Sequence, residues 1–149
     1  MFEKFTAGSR KVLGLSRQEA VRLGSEFIGV EHILMGLLSA EDLGSVRVFR
    51  HIGLDPGLIR AEVEKHAPGS DRKGPTQVQL PFSPDSKRLI EASDRTAIAM
   101  KHDDIATCHL LMADLDDPQG ILAKVLPRLG LEPADVRRRV REALETAGK

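Results

Sequence analysis

The chain has no tryptophan, no tyrosine and a single cysteine, Cys108, in its 149 residues. Five phenylalanines carry all of its aromatic content, which is little for the stacked platforms that hold single-stranded nucleic acids. One thiol allows no internal disulfide, as fits a reducing compartment. Charge of one sign is missing too, because 22 Lys and Arg balance 22 Asp and Glu. No global field therefore recruits the chain to nucleic acid or to an anionic membrane. No apolar run approaches membrane-spanning length, and the opening MFEKFTAGSRK lacks the apolar core of a signal peptide. These absences point to a soluble, cytoplasmic protein.

Motifs for chemistry are also scarce. No glycine-rich GxxxxGK loop occurs, so the chain carries no phosphate cradle of the ATPase kind. Five histidines and one cysteine are enough for a metal site in number but not in spacing. Cys108 and His109 are adjacent and leave a helix on different faces, and no histidines stand four apart. A Cys108 nucleophile would need a base and an oxyanion hole that no motif supplies. No metal, cofactor or catalytic residue is expected.

What is present is a duplication. Val30–Leu38 reads VEHILMGLL and returns as TCHLLMADL at Thr107–Leu115. The offset of 77 holds without a gap from Phe5/Phe82 to Val63/Val140, with 15 identities in 59 pairs. Chance matching at average composition would give about 4. Each copy is small enough to be marginal alone, so the halves are expected to pack together.

The pattern predicts four helices per copy. Phe5, Ser9, Ser16 and Ala20 recur as Phe82, Ser86, Ser93 and Ala97, one stripe of a helix whose small residues admit a close neighbour. Ser83-Pro84-Asp85 reads as a cap, a first-position proline and a first-turn acid, which makes Thr6 the matching cap. Gly24 and Lys101 sit near the ends of these helices. Ile33, Leu34, Leu37 and Leu38 repeat at helical spacing. A third segment covers about Gly44–His51, and Asp117-Pro118 reads as the start of its counterpart. Gly53 and Gly130 end the third helices, and Asp55-Pro56 and Glu132-Pro133 open the fourth, which end near His66 and Thr146. The Pro- and Gly-containing stretch between the copies reads as a solvated linker. The expected division is 1–66, a linker 67–81, and 82–149, within one domain.

Several residues admit two readings. Arg137–Arg139 with Arg141 is either a solvated helix face or a nucleic-acid patch. His32 and His109 stand at equivalent helix starts, where a packed imidazole bonds a neighbouring backbone. Glu31 favours the positive end of its helix dipole, yet Cys108 replaces it in the second copy, so the helix does not require an acid there. That leaves room for a specific role.

MFEKFT, VLGLSRQEAVRLG, IGVEHILMGLL and the Gly53-Leu54 turn, followed by PFSPDSKRLIEAS, HLLMADL and LPRLGLEP, resemble the N-terminal domain of ClpC/ClpA-type Clp unfoldases over almost the whole chain. The resemblance implies an all-α fold of two tandem four-helix Clp repeats, eight helices related by a pseudo-twofold axis. It implies a non-enzymatic binding module, expected as a monomer, that docks protein substrates or adaptors onto a Clp machine. A free-standing protein of this kind acts as an adaptor or as a decoy; a nucleic-acid-binding regulator is the alternative from another class. ClpC-type members form phosphoarginine pockets, whose matching positions here are Thr6 and Glu31 in the first copy and Ser83 and Cys108 in the second. Val30 departs from a usual threonine and Cys108 from a usual glutamate, so such binding is expected in the first copy. Asp114, Asp116 and Asp117 replace a less acidic stretch. A groove for cyclic peptide ligands in related proteins matches Phe2, Arg10, Leu13, Phe82, Lys87 and Glu91. For Phe2 the plainer expectation is a mobile terminal residue, and for Phe82 a staple beside its cap.

Overall fold

Thr6 has extended backbone, and its hydroxyl accepts a 3.2 Å hydrogen bond from the N–H of Ser9. Ser83 repeats this arrangement with Ser86 at 3.1 Å. These caps start α1 (Ala7–Arg22) and α5 (Pro84–Ala99) in a computed structural model that describes residues 2–67 and 80–147. The rest of the order is α2 (Val30–Leu37), α3 (Gly44–His51), α4 (Pro56–His66), α6 (Thr107–Leu115), α7 (Ile121–Val125), a 3-10 turn (Leu126–Leu129) and α8 (Pro133–Ala147). The fold is all-α with two repeats. Of the expected linker, residues 68–79 lie outside the described residues.

Helices as short as α2 do not persist alone, so their stability comes from packing. His32 through Leu37 are all buried, and so are Thr107 and His109 through Leu115 of α6. The small-residue stripe does what its pattern suggests. Ala20 and Ala97 are fully buried. A β-carbon at Gly36 would stand 3.0 Å from both Ser16 Oγ and the carbonyl oxygen of Val12. The backbones of α1 and α2 are that close.

The two copies are interlocked. The segment before α1 pairs with the turn before α6: Thr6 N–H donates to Ile105 O at 3.1 Å, and Ile105 N–H to Lys4 O at 2.7 Å. The segment before α5 pairs with the turn before α2 in the same way, Ser83 N–H to Ile28 O at 3.0 Å and Ile28 N–H to Pro81 O at 2.9 Å. Each partner is 77 residues from its counterpart, so the exchange is reciprocal, as a pseudo-twofold relation demands. The fourth helices pack on both copies, α4 on α2 and α7, and α8 on α6 and α3.

The second copy departs from the first at its third helix. Asp117-Pro118 does not start it; Asp117 accepts from Gln119 N–H at 2.9 Å in a turn, and Gly120 is the N-cap of a helix beginning at Ile121. The capping acceptor is Asp114 on α6, which takes Leu122 N–H at 2.9 Å and Ile121 N–H at 3.3 Å. Gly120 makes room for it, since a β-carbon there would fall 2.9 Å from Asp114 Oδ1. Pro127, which has no N–H to give, lies where α7 tightens into the 3-10 turn.

Three of the four arginines of the α8 run have partners within the protein. Arg138 pairs with Asp135 at 2.6 Å and Glu142 at 3.1 Å, Arg141 with Asp116 at 2.9 Å, and Arg139 donates to the carbonyl of Ile52. These contacts fit a solvated, self-paired face rather than a nucleic-acid patch.

Candidate binding clefts

The exchange sorts the four pocket positions differently from their order in the chain. Because Ser83 hangs on Ile28, the cap of α5 sits beside the N-terminus of α2. Glu31 and Ser83 therefore line one open cleft of about 970 Å³, together with Val30, Asp85, Gly120 and Ile121. Thr6 hangs on Ile105 and so joins the other helix start. A β-carbon at Gly8 would stand 3.9 Å from Thr6 Oγ1 and 3.5 Å from Thr107 Cγ2, and one at Gly44 3.4 Å from Cys108 Sγ. The pairing read from the sequence, Thr6 with Glu31 and Ser83 with Cys108, is crossed in the fold. Each site is composite, taking its cap from one repeat and its α2- or α6-type start from the other.

Each site keeps a different half of the chemistry. At the Thr6 site the threonine hydroxyls are present, though Thr107 is buried and its Oγ1 accepts Ser45 N–H at 3.0 Å. The acid is missing, and burial pushes the Cys108 thiol up to about 11. At neutral pH it is neither an anion nor a nucleophile. At the Ser83 site the acid is present and Val30 offers no hydroxyl. Glu31 is half-buried and forms no hydrogen bond or ion pair among the described residues. Its carboxylate turns back over Gly29, where a β-carbon would fall 1.9 Å from Oε1.

The histidines at the two helix starts are structural. Gly29 N–H donates to His32 Nδ1 and Ala106 N–H to His109 Nδ1, both at 2.8 Å. Burial lowers the pKa of each ring, that of His109 to about 4 with help from the neighbouring His102. His102 Nδ1 lies 2.8 Å from His109 Nε2, a contact without a counterpart in the first copy, where Ser25 stands.

Of the groove positions, Phe2, Phe82 and Arg10 meet around the segment before α1. Phe2 packs edge-on against Phe5 at 5.2 Å and tilts against Phe82 at 5.8 Å. Arg10 holds the segment down, donating to the carbonyls of Phe2 at 2.8 Å and Phe5 at 3.3 Å. Leu13 is half-buried against the core, while Lys87 and Glu91 stand exposed four residues apart on α5. Phe2 is thus packed rather than loose. Sequence reasoning passed over Phe27 and Lys124, which also line the Glu31 cleft. Phe27 is 46% exposed in a chain with few aromatics, and that scarcity was the available signal.

Among known families, the Clp repeat (R) N-terminal domain matches residues 4–113 and again 92–149. The chain belongs to that family. As a Clp N-domain it is 37% identical over 140 residues to chaperone protein ClpC, chloroplastic, of Pisum sativum, covering 94% of this chain and 15% of that protein. It is 36% identical over 144 residues to chaperone protein ClpB of Oceanobacillus iheyensis, covering 97% and 17%. The chain therefore spans about a sixth of the length of these curated relatives. Its fold is shared with the N-terminal domain of ClpD from Arabidopsis thaliana, with TM-score 0.74, 23% identity and 97% of both chains covered. The Hsp104 N-terminal domain from Candida albicans superposes with TM-score 0.77 at 16% identity, covering 98% of this chain and 93% of that one. Among the described residues of this Clp N-domain, no helix is long and apolar enough to cross a membrane, and no cluster of three metal-ligating side chains occurs.

Proposed function

We propose that this Clp N-domain recognises proteins for a Clp-type unfoldase, holding clients or adaptors without transforming them. The observation that carries this reading is the cleft shared by α2 of one repeat and α5 and α7 of the other, on a chain of this family. Such a cleft is of the size that takes side chains of a partner, and the Glu31 carboxylate that lines it has no hydrogen bond or ion pair among the described residues. In this reading Glu31 with Ser83, and Thr6 with Cys108, are the two phosphoarginine-type positions, and the first pair is the stronger because it keeps the acid. Phe2, Arg10, Leu13, Phe82, Lys87 and Glu91 form a separate groove for cyclic peptide ligands. The copies 1–66 and 82–149 act as one unit, joined by 67–81, and the protein works as a cytoplasmic monomer.

The test is competition. Titrating the chain into the degradation of a fluorescent client by a ClpC-type unfoldase and its peptidase should slow the reaction saturably, and immobilised chain should retain that client or its adaptor. An unchanged rate with nothing retained would reject the reading.

A further inference from the structure

We propose that the Ser25 corner of the cleft takes the neutral imidazole of a partner protein's histidine, bound through the Nε2–H of His32; this rests on the protein-recognition reading above. His32 serves the fold through one ring nitrogen only. Its Nδ1 accepts the N–H of Gly29 at 2.8 Å, so the proton of the neutral ring sits on Nε2. Burial lowers the pKa of the ring and keeps it in that neutral form. The residue is 2% exposed and lines the cleft, yet its Nε2–H has no hydrogen-bond partner among the described residues. No described side-chain nitrogen or oxygen is both sealed from the surface and unpartnered, so Nε2 opens on the cleft. A donor on so buried a ring, left without an acceptor, is uncommon.

The duplication shows what belongs there. His109 is the counterpart of His32 and makes the same bond, with Ala106 N–H on its Nδ1. Its Nε2–H therefore donates to His102 Nδ1 at 2.8 Å, with ring centroids 5.0 Å apart and planes tilted by 53°. Counted 77 residues back, His102 becomes Ser25. The backbone holds the two alike: Ser25 N–H donates to Ala20 O and His102 N–H to Ala97 O, both at 2.9 Å. Ser25 does not replace the missing ring. Its hydroxyl is committed to its own turn, donating to Phe27 O at 2.7 Å and accepting Phe27 N–H at 3.2 Å. One copy carries its imidazole acceptor within the chain; the other keeps the donor and has lost the acceptor.

The walls have changed in the same direction. On α5, Ala92 lines the cleft where α1 has Leu15 at the equivalent position, so a second bulky group is withdrawn. Phe27, 46% exposed, takes the place of Asp104 and offers a flat apolar face to an incoming ring. Charge separates the possible acceptors. Glu31 and Arg95 both line the cleft without an ion pair among the described residues, so a carboxylate would meet one charge of each sign. A neutral ring accepts the same N–H at no such cost. A carboxamide also accepts it, but leaves the space against Phe27 unfilled.

Calorimetric titration at about pH 8, where a free imidazole is neutral, tests the inference with one short peptide carrying histidine, glutamine or glutamate at its centre. The histidine form should bind at one site, with the other two weaker by about tenfold or more. Isotope-edited NMR should show the Nε2–H signal of His32 moving in the same titration. Ser25→His restores the acceptor that the second copy carries, so it should abolish histidine binding with no fall in melting temperature. Phe27→Ala should weaken that binding several-fold. A glutamate form that binds most tightly, or histidine binding untouched by Ser25→His, would overturn the inference and leave the protein-recognition reading standing. Failure of all three peptides while a client is still retained would do the same. Failure of all three with no client retained would sink both.

Discussion

Ser9 on α1 donates its hydroxyl to the carbonyl of Ile105 at 2.8 Å, 96 positions further along the chain, and Ser86 does the same to Ile28 at 2.7 Å. Both serines are fully buried, and each acceptor also takes the backbone N–H of a capping residue. Ser9→Ala therefore removes one of two bonds to a carbonyl and strands no group completely. The expected loss is about 1 kcal/mol. Ser86→Ala should cost about as much, and the double variant close to the sum. Urea denaturation of the three variants checks this; no loss from either would mean that the exchange rests on its backbone bonds alone.

Because each copy's leading segment pairs with the other and its fourth helix packs on both copies, neither should stand by itself. Residues 1–66 expressed alone lose the partner of Phe5, which pairs with the Ile105 turn, and the α7 surface that covers α4. A chain of that length has little reserve of buried surface. Circular dichroism of the isolated piece should show a small fraction of the helix seen in the whole chain. Equimolar 82–149 should restore part of it. A cooperative thermal transition for 1–66 alone would refute the interlocking argument.

That interlocking marks the boundary of what could be read from the sequence. Helix starts were legible at Thr6, Ser83, Asp55 and Glu132, since capping depends on residues within three positions of the start. The buried stripe of Ala20 and Ala97 was legible because identity across the duplication exposes the face that cannot change. The crossing of Glu31 with Ser83 was not, because a backbone bond between residues 28 and 83 leaves no side-chain signature. Asp117-Pro118 misled for a related reason. It is a sound local signal for a helix start, and a longer-range acceptor, Asp114, fixed the start elsewhere.

Gly24 and Lys101 end the first helix of each copy at φ of 70° and 61°, and Lys101 is the one non-glycine with positive φ among the described residues. A side chain in that conformation costs about 1–2 kcal/mol, from which the greater freedom of an unfolded glycine takes back about 0.5–1 kcal/mol. Lys101→Gly should thus stabilise the protein by about 0.5–1 kcal/mol. The lysine is exposed and has no ion pair to lose among the described residues. A shift of the urea midpoint upward with unchanged slope is the expected result, and a downward shift would argue against the strain.

Acid should act on this fold through two groups of opposite sense. Burial raises the Asp114 carboxyl to about 6, against the pull of the N–H groups of Leu122 and Ile121. The folded state then takes up that proton before the unfolded chain does, so this contribution to stability is present at low pH and fades as pH climbs through about 6. Burial lowers His109 to about 4, and His32 moves in the same direction. Here the unfolded chain is protonated first, so stability is lost as pH falls from the ordinary histidine range toward 4. Between about pH 6 and 4 the two effects oppose each other. Asp114→Asn keeps an acceptor for Leu122 while removing the titration, so it should unmask the histidines. Whatever it costs at neutral pH, its stability should fall more steeply on acidification than that of the unmodified chain, by up to about 1.4 kcal/mol per pH unit. Urea curves at several pH values between 7 and 4 measure the difference. Parallel profiles would mean that Asp114 does not titrate in this range.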